Sequence, residues 1–348
     1  MLPNFFTSSI REQSTWLPEI AFGVFVLMFV VNIFKGRDSN TKKAVYWATQ
    51  LISSESVLPN NFAKMGPGGA DAPREEVLIR ESMNLFTVYA TGRRYCKART
   101  LLASFIFKKR QDLINWAVGA VTGQEDLLDI FVEMSPEAMP DLVLLIGKPK
   151  IAKQMAKDLA DVKTFTKLLE VKKDKIPSWP STELTVYSEQ ASTFYDLMSS
   201  HLLDHSFSAG AWKVLGPCFR FLHITSEGQG ATQQQFMNLS LALPKERDAP
   251  AVLEWIRALD ILIDSLGTFK FTSEQSKRAA ENRSKKEAKA LKEAEQERQA
   301  ELEARREKKA KAEEERLKKM SAKQREKELE RKARLRQKRA MRSVVKRI

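Results

Sequence analysis

LPEIAFGVFVLMFVVNIF, residues Leu17–Phe34, is the stretch that decides how this chain is organised, because from Ile20 onward only Gly23 and Asn32 interrupt its apolar side chains. A membrane-spanning helix needs roughly 20 apolar residues, with ~17 as the lower limit. The 18 residues of this run meet that limit. Tryptophan at position 16 and proline at 18 suit an interface and a helix start. We therefore predict a transmembrane helix over residues 17–34.

A cleaved signal peptide and a buried core helix are the two alternatives for this run. A signal peptide has a basic start and a cleavage site of small residues after its apolar core. Here Glu12 and Glu19 accompany Arg11 at the start, and Asn32 and Lys35 stand where small residues would be needed. The flanking residues therefore favour the span.

The charges on either side of the run predict its orientation. Lys35, Arg37, Lys42 and Lys43 follow it, whereas Arg11 alone carries positive charge before it. Positive residues stay on the cytosolic side of a membrane. We expect residues 1–16 to form a short segment that faces the lumen or the exterior and the C-terminal side to be cytosolic, in a single-pass topology.

Residues 35–73 are predicted to be a juxtamembrane helix and a linker. Thr41–Ser53 has the spacing of a short amphipathic helix that lies along the membrane surface or serves as a plain connector. Pro59–Pro73 is rich in Gly, Pro and Asn, which is typical of a linker.

Residues 74–273 mix helical and strand-like periodicity and predict an α+β or α/β cytosolic domain. A break at Lys172–Pro180 suggests two halves. Predicted strands are Leu101–Phe107, Leu127–Glu133, Asp141–Ile146, Glu183–Ser188, Phe219–Thr225 and Phe236–Leu243. Predicted helices are Lys109–Val118, Lys150–Leu169, Glu189–Leu203 and Pro250–Leu266.

Residues 274–348 predict a long C-terminal charged helix, since they contain no Pro or Gly and follow a helix-start pattern at Thr272–Glu274. The tail holds 28 Lys and Arg against 15 Asp and Glu, whereas residues 1–273 hold 30 against 29. Almost all of the formal net charge of +14 therefore lies in the tail. The leucines keep no heptad register, so the tail resembles a coiled coil in composition but favours a solitary helix over a dimer.

Concentrated positive charge attracts nucleic acid, anionic lipid or acidic protein. We predict that the acid-free tip of the tail binds such a polyanion. The candidates there are Arg331, Lys332, Arg334, Arg336, Lys338, Arg339, Arg342, Lys346 and Arg347. Two clusters in the body could also contact phosphates, although solvated residues at the border of a strand have the same pattern. The body clusters are Arg93, Arg94, Lys97 and Arg99, then Lys108, Lys109 and Arg110.

Catalytic and metal-binding motifs are missing from the sequence, so we predict no enzyme activity, cofactor or metal. There is no G-x-S-x-G elbow and no phosphate-binding loop. His201 and His205 have the four-residue spacing of zinc ligands, but no third ligand accompanies them. Cys96 and Cys218 lie far apart, in no motif that would activate a thiol.

Residues 89–96, YATGRRYC, followed by Leu101–Leu102 and then KRQDL at 109–113, closely resemble the calumin family, also called coiled-coil domain-containing protein 47. The order of one span, a cytosolic domain and a Lys/Arg/Glu-rich helical tail is similar over nearly the whole chain. The resemblance implies a subunit of the PAT complex, an intramembrane chaperone for multipass proteins of the endoplasmic reticulum. It also implies binding to translating ribosomes beside the Sec-type translocon, with the basic tail near the tunnel exit.

Animal members of calumin type carry a long acidic lumenal segment before the span, which is linked to calcium binding. About 16 residues precede the span here, and their acids are Glu12 and, at the border of the span, Glu19. A lumenal calcium-binding role is therefore not expected from this sequence.

The leading functional hypothesis is a non-enzymatic protein of the endoplasmic reticulum membrane that assists insertion and folding of multipass proteins. Its expected partners are the ribosome with its RNA, the Sec-type translocon, a partner subunit of the PAT complex, multipass clients and the membrane. The alternative is a membrane tether with a role in calcium homeostasis, whose basic tail binds anionic lipid or acidic protein surfaces.

Overall fold

A computed structural model describes residues 5–53, 57–66, 77–198, 203–228, 235–318, 326–327, 330–331, 333–335 and 337–338. Contacts between Cα atoms divide the chain into two units, Met1–Ala280 and Glu281–Ile348. The strands are β1 (Lys64–Met65), β2 (Leu78–Arg80), β3 (Leu85–Thr91), β4 (Cys96–Ile106), β5 (Leu127–Met134), β6 (Val143–Gly147), β7 (Lys167–Leu169), β8 (Thr185–Ser188), β9 (Phe219–Thr225) and β10 (Phe236–Ala242). The helices are α1 (Phe5–Ile52), α2 (Val57–Asn61), α3 (Leu113–Thr122), α4 (Pro149–Asp158), α5 (Ala160–Phe165), α6 (Ala191–Leu197), α7 (Ala209–Leu215), α8 (Ala249–Thr268) and α9 (Ser273–Lys318), with a π-helical turn at Leu203–Phe207 and a 3-10 turn at Glu246–Asp248.

The ten strands form one sheet in the order β1-β3-β4-β5-β10-β9-β6-β8-β7, with β2 also paired to β3. Every pairing in it is antiparallel. This confirms the α+β form of the predicted fold class, because an α/β domain would be built on parallel strands. Strands from both sides of the break at Lys172–Pro180 belong to this one sheet, so the suggested division into halves is wrong.

One face of the sheet carries the main hydrophobic core. Alternate residues of the central strands point into it, and on β5 every second side chain is buried. Helix α8 covers this face with an amphipathic stripe, and its Trp255 stacks on Phe219 with ring centroids 4.8 Å apart. The opposite face carries a smaller core beneath α4 and α5, around Val143 and Leu145.

Helix α1 joins the predicted span to the core without a break. It is 48 residues long and is the one helix in the described part of the chain that is long and apolar enough to cross a membrane. Most of its large apolar side chains between positions 20 and 34 are exposed, which argues against a core helix there. Pro18 lies inside the helix and not at its start, contrary to the expectation.

The second half of α1 belongs to the domain. Ala44, Trp47 and Leu51 are buried in the main core. Both expectations for Thr41–Ser53, a membrane-surface helix or a plain connector, are therefore wrong. Its apolar stripe matches the sheet of its own domain, and the helix continues through Gly36 without a break from the apolar run. Within Pro59–Pro73, part of the predicted linker forms α2 and β1, and residues 67–73 lie outside the described part.

Three predicted helices have different limits. The one expected at Lys109–Val118 starts at Leu113, because the Asp112 carboxylate accepts hydrogen bonds from the amides of Ile114 and Asn115 and caps it. The one expected at Lys150–Leu169 is interrupted by extended backbone at Leu159 and ends before β7. The one expected at Glu189–Leu203 is the shorter α6, and residues 199–202 are outside the described part.

Helix α9 starts at Ser273, in agreement with the predicted start of the tail. The side chains of Thr272 and Gln275 each accept a hydrogen bond from the other's backbone amide, at 3.3 and 2.9 Å, which forms a capping box. Gln275 is buried and also donates to Asp196, so the first turn of α9 is fixed in the first unit. In the second unit, pairs such as Glu281–Lys285 at 2.7 Å stabilise the helix surface.

Candidate functional site: the junction of the apolar helix and the sheet

One face of α1 contacts the loop that follows β4. Asn32, Gly36, Asn40 and Lys43 are three or four residues apart and therefore lie on one side of the helix. We call these residues, together with Lys108, Arg110 and Asp126, the junction. It lies where the exposed apolar part of α1 gives way to the part that is buried in the domain.

Asn32 and Gly36 bring the backbones of the helix and the loop together. The side-chain amide of Asn32 donates to the carbonyl oxygen of Arg110 at 3.0 Å. A Cβ atom on Gly36 would lie 2.4 Å from the carbonyl carbon of Arg110, far inside van der Waals contact. Only glycine permits this approach, so position 36 determines how closely the domain follows the end of the predicted span.

Asn40 is fully buried and all of its polar atoms have partners. Its amide nitrogen donates to the carbonyl oxygens of Met83 at 3.2 Å and Lys108 at 3.1 Å. Its oxygen accepts from the Arg110 guanidinium at 2.8 Å. This one side chain therefore ties α1 both to the turn between β2 and β3 and to the loop after β4.

Asp126 completes the junction electrostatically. Its two carboxylate oxygens accept from the Arg110 guanidinium at 2.9 and 2.6 Å, and Lys43 Nζ lies 2.9 Å away. The backbone amide of Lys108 donates to it at 2.9 Å. Burial by itself would raise the pKa of Asp126, but the hydrogen bonds from Arg110, Lys108 and Lys43 outweigh it and hold the pKa below its ordinary value.

Replacing Gly36 by alanine is expected to lower the free energy of unfolding by about 1–3 kcal/mol, because the new methyl group overlaps backbone that cannot rotate away. Gly23 in the same helix is the matched control, since a Cβ there meets nothing within 4 Å. Urea unfolding of the full chain in a mild detergent measures both variants. Equal stability of Gly36→Ala and Gly23→Ala would contradict the close approach.

The two predicted basic clusters of the body lie at opposite ends of β4. That strand of 11 residues separates them by about 35 Å at 3.3 Å per residue, so they form no common patch. Arg110 belongs to the junction, with Lys108 half-buried beside it and Lys109 exposed. At the other end Arg94 is exposed, and its guanidinium lies 4.8 Å from the centre of the Tyr95 ring.

Arg93 is largely buried in an ion-pair network with α8. Its guanidinium lies 3.1 Å from Asp260 and 3.2 Å from Asp264. Burial raises the pKa of Asp260 to about 6, an effect that Arg93 reduces and Asp264 reinforces. Arg93 and Arg110 therefore stabilise the domain. Their guanidinium groups are engaged by carboxylates and are not available to RNA phosphates. Arg94 and Lys109 keep their exposed charges, while the side chains of Lys97 and Arg99 lie outside the described part.

The basic tip of the tail is described at three of its nine predicted contacts. Arg331, Arg334 and Lys338 are exposed, and Arg334 pairs with Glu330 at 2.8 Å. The other six candidates, Lys332, Arg336, Arg339, Arg342, Lys346 and Arg347, lie outside the described residues. RNA contact at the tip remains a prediction.

The histidines do not gather into a metal site in the part of the chain that the structure describes, where no three His, Cys, Asp or Glu side chains come together. His205 lies 3.5 Å from Glu254, and the buried His223 lies 2.9 Å from Asp161. Burial raises the pKa of Asp161, but the contact with His223 and hydrogen bonds from Thr225 and the Val162 amide together lower it below its ordinary value. His201 lies outside the described residues.

The cysteines are poorly suited to act as nucleophiles. Burial raises the pKa of Cys96 to about 12 and that of Cys218 to about 11. Nearby positive charge from Arg93 and Lys148, respectively, offsets only part of this effect. Very little thiolate, the reactive form, therefore exists near neutral pH.

Sequence reasoning missed the junction. Asn32 counts only as an interruption of the apolar run, although its four-residue spacing to Gly36 and Asn40 is visible in the sequence. A stripe of small and amide side chains that crosses the end of a span is the signal that could have indicated a docked face. Asp126 carries no such signal, because its partners come from two distant segments.

Comparison with known proteins identifies the family of this chain. Residues 15–339 match the family model described as PAT complex subunit CCDC47. The chain is 25% identical over 306 residues to the PAT complex subunit CCDC47 of Danio rerio, covering 81% of this chain and 60% of that protein. It is 23% identical over 303 residues to the Homo sapiens protein of the same name, covering 80% and 60%.

An uncharacterised protein of Arabidopsis thaliana is 29% identical over 276 residues, which cover 79% of this chain and 56% of the relative. The chain thus spans a little under two thirds of the length of these relatives. Because the family model matches nearly the whole sequence, from the predicted span to the basic tail, the chain belongs to the PAT complex subunit CCDC47 family.

Proposed function

We propose that this protein is a non-enzymatic, single-pass protein of the endoplasmic reticulum membrane that assists the insertion and folding of multipass membrane proteins. Its proposed partners are the ribosome, the Sec-type translocon, another PAT complex subunit and multipass clients. The observation that carries the proposal is the match to the PAT complex subunit family over residues 15–339, which includes the candidate span and the basic tail.

The junction supports the anchoring step. Lys35 and Arg37 are exposed directly after the apolar run, which suits the cytosolic side of the membrane. From Asn32 to Leu51 one face of the same helix is bonded to the loop after β4 or buried in the core. The domain is then held at a fixed distance from the membrane surface, as a protein that bridges the translocon and the ribosome requires.

The charge distribution supports the ribosome-binding step. The first 273 residues are nearly neutral, and the tail carries the surplus of positive charge. Arginine and lysine bind phosphates by releasing condensed counterions, so such binding weakens steeply with salt. In this proposal the tip, Arg331–Ile348, contacts ribosomal RNA.

A flotation experiment separates this proposal from the membrane tether. The full chain is reconstituted in phosphatidylcholine vesicles, and either ribosomes or fluorescent phosphatidylserine vesicles are added. We expect ribosomes to float with these vesicles and not with protein-free ones. Recruitment of the phosphatidylserine vesicles alone would support the tether and contradict the proposal.

A further inference from the structure

Helix α3 exposes an apolar stripe that the proposed function does not use. Its ten residues, LINWAVGAVT, include no charged side chain. Ile114 is 71% exposed, Val118 48% and Val121 89%. Spacings of four and three residues place these three side chains on one face of the helix. An apolar helix face on the surface of a protein marks a site that contacts a membrane or another protein.

The position of α3 beside the end of the predicted span favours the membrane. The helix starts three residues after Arg110, whose carbonyl oxygen accepts the hydrogen bond from Asn32 within the predicted span. Gly36 is in backbone contact with Arg110 and Gln111. The first turn of α3 is therefore held within a few residues of the level at which α1 leaves the membrane.

The connection leaves little freedom to turn α3 away. Asp112 caps the helix by accepting from the amides of Ile114 and Asn115, and the C-terminal end is closed by Gly123 in the left-handed conformation. Helix α3 and its flanking loops connect β4 to β5, and these two strands are neighbours in the sheet. The helix is thus fixed at the end of the sheet that holds the junction.

The surroundings match a membrane surface in charge as well as in apolarity. Three basic side chains, those of Lys35, Arg37 and Lys109, are exposed near the junction, where Asp38 is the exposed acid of α1. Met83, whose carbonyl oxygen accepts from Asn40, exposes a further apolar side chain there. Lysine and arginine around an apolar helix face are typical of helices that lie in the headgroup region of anionic membranes.

We infer that α3 is a second membrane contact of this domain, a helix that lies in the cytosolic headgroup region with Ile114, Val118 and Val121 directed to the acyl chains. The exposed apolar side chains of α1 between residues 20 and 34 and those of this stripe then face the same lipid bilayer. The inference rests on the proposed span, because α3 takes its depth from α1.

Nitroxide labels on the full chain test the inference. Single cysteines at Val121 and Ile114 replace exposed side chains, so they leave the fold intact, and Cys96 and Cys218 are changed to alanine. The chain is reconstituted in vesicles of phosphatidylcholine and phosphatidylserine. Power-saturation EPR then compares collisions with oxygen, which is enriched in lipid, with collisions with a water-soluble nickel chelate.

Two reference positions make every outcome decisive. A label at Phe25 reports the span, and a label at the exposed Glu137, beyond the far end of β5, reports water. We expect the oxygen-to-nickel ratio at Val121 and Ile114 to be several-fold above that at Glu137 and below that at Phe25. A water-like ratio at Phe25 would refute the proposed span itself.

A lipid-like ratio at Phe25 with a water-like ratio at Val121 would overturn the inference alone. Exclusion of both oxygen and nickel at Val121 would also overturn it, because a protein surface would then cover the stripe instead of lipid.

Discussion

Changing Asp126 to asparagine is expected to lower the free energy of unfolding at pH 7 by about 3 kcal/mol. The change leaves the largely buried Arg110 guanidinium without its carboxylate, and removing one partner of such a pair costs about 3–5 kcal/mol when it is fully buried. Lys43 remains partly in water and reduces the loss. Urea unfolding of the full chain in detergent measures the difference.

The effect of this substitution depends on pH in a defined direction. The folded-state pKa of Asp126 lies below the value of about 3.9 in an unfolded chain. A carboxyl with a lowered pKa contributes its full stability above the unfolded pKa and loses it as pH falls through the folded pKa. The difference between wild type and Asp126→Asn should therefore be constant near neutral pH and shrink below about pH 4.

Asp38→Asn is the matched control. Asp38 lies in α1 near the junction and pairs with Lys42 at 2.7 Å, but both side chains are mostly exposed. Surface pairs of this kind contribute about 0–1 kcal/mol. If Asp126→Asn destabilised the protein no more than Asp38→Asn, the junction would not hold α1 to the domain.

Replacing the nine basic residues of the tip by glutamine is expected to weaken ribosome binding about a hundredfold at near-physiological salt. Glutamine has a helix propensity close to that of lysine and arginine, so the substitutions change charge with little change in helix propensity. Each lost phosphate contact lowers the slope of log K against log salt by about 0.7–0.9. The nine residues are Arg331, Lys332, Arg334, Arg336, Lys338, Arg339, Arg342, Lys346 and Arg347.

The matched control changes the nine lysines and arginines from Lys277 to Arg305 to glutamine, which removes the same net charge from the mixed part of the tail. Co-sedimentation with ribosomes across a salt series compares the two variants with wild type. We expect the control to keep most of the affinity and of the salt slope. Equal losses would show that net charge matters and the tip does not, and no loss in either would exclude the tail.

The strands of the sheet could be predicted because they are short apolar runs that the fold buries. Leu127–Glu133 and Phe219–Thr225 agree with β5 and β9 almost to the residue. Their order in the sheet could not be predicted, since β5 pairs with β10 across more than a hundred residues of sequence. Antiparallel pairing over such distances leaves no local pattern.

The helix at Thr41–Ser53 shows why correct periodicity led to a wrong location. The sequence shows apolar side chains at Val45, Trp47–Ala48 and Leu51–Ile52. Trp47, Ala48 and Leu51 are buried, whereas Val45 is exposed. A stripe does not reveal whether membrane or sheet will cover it, and here the sheet of the same domain does. Only the fold places this segment in the core.

The basic clusters show the same limit for charge. Arg93 and Arg94 are neighbours in sequence, yet one is buried among Asp260 and Asp264 and the other is exposed. The acidic partners lie far away along the chain. Sequence identified the positive residues, but only the structure separated those that stabilise the domain from those whose charges remain available.

Purification of the tagged full chain from solubilised endoplasmic reticulum membranes tests the central claim most directly. The preparation is probed for ribosomal RNA and for subunits of the Sec-type translocon, at low salt and again after a high-salt wash. We predict that both accompany the chain at low salt and that the wash releases ribosomes, because phosphate contacts are salt-sensitive. A chain recovered from these membranes at low salt without ribosomes would contradict the claim.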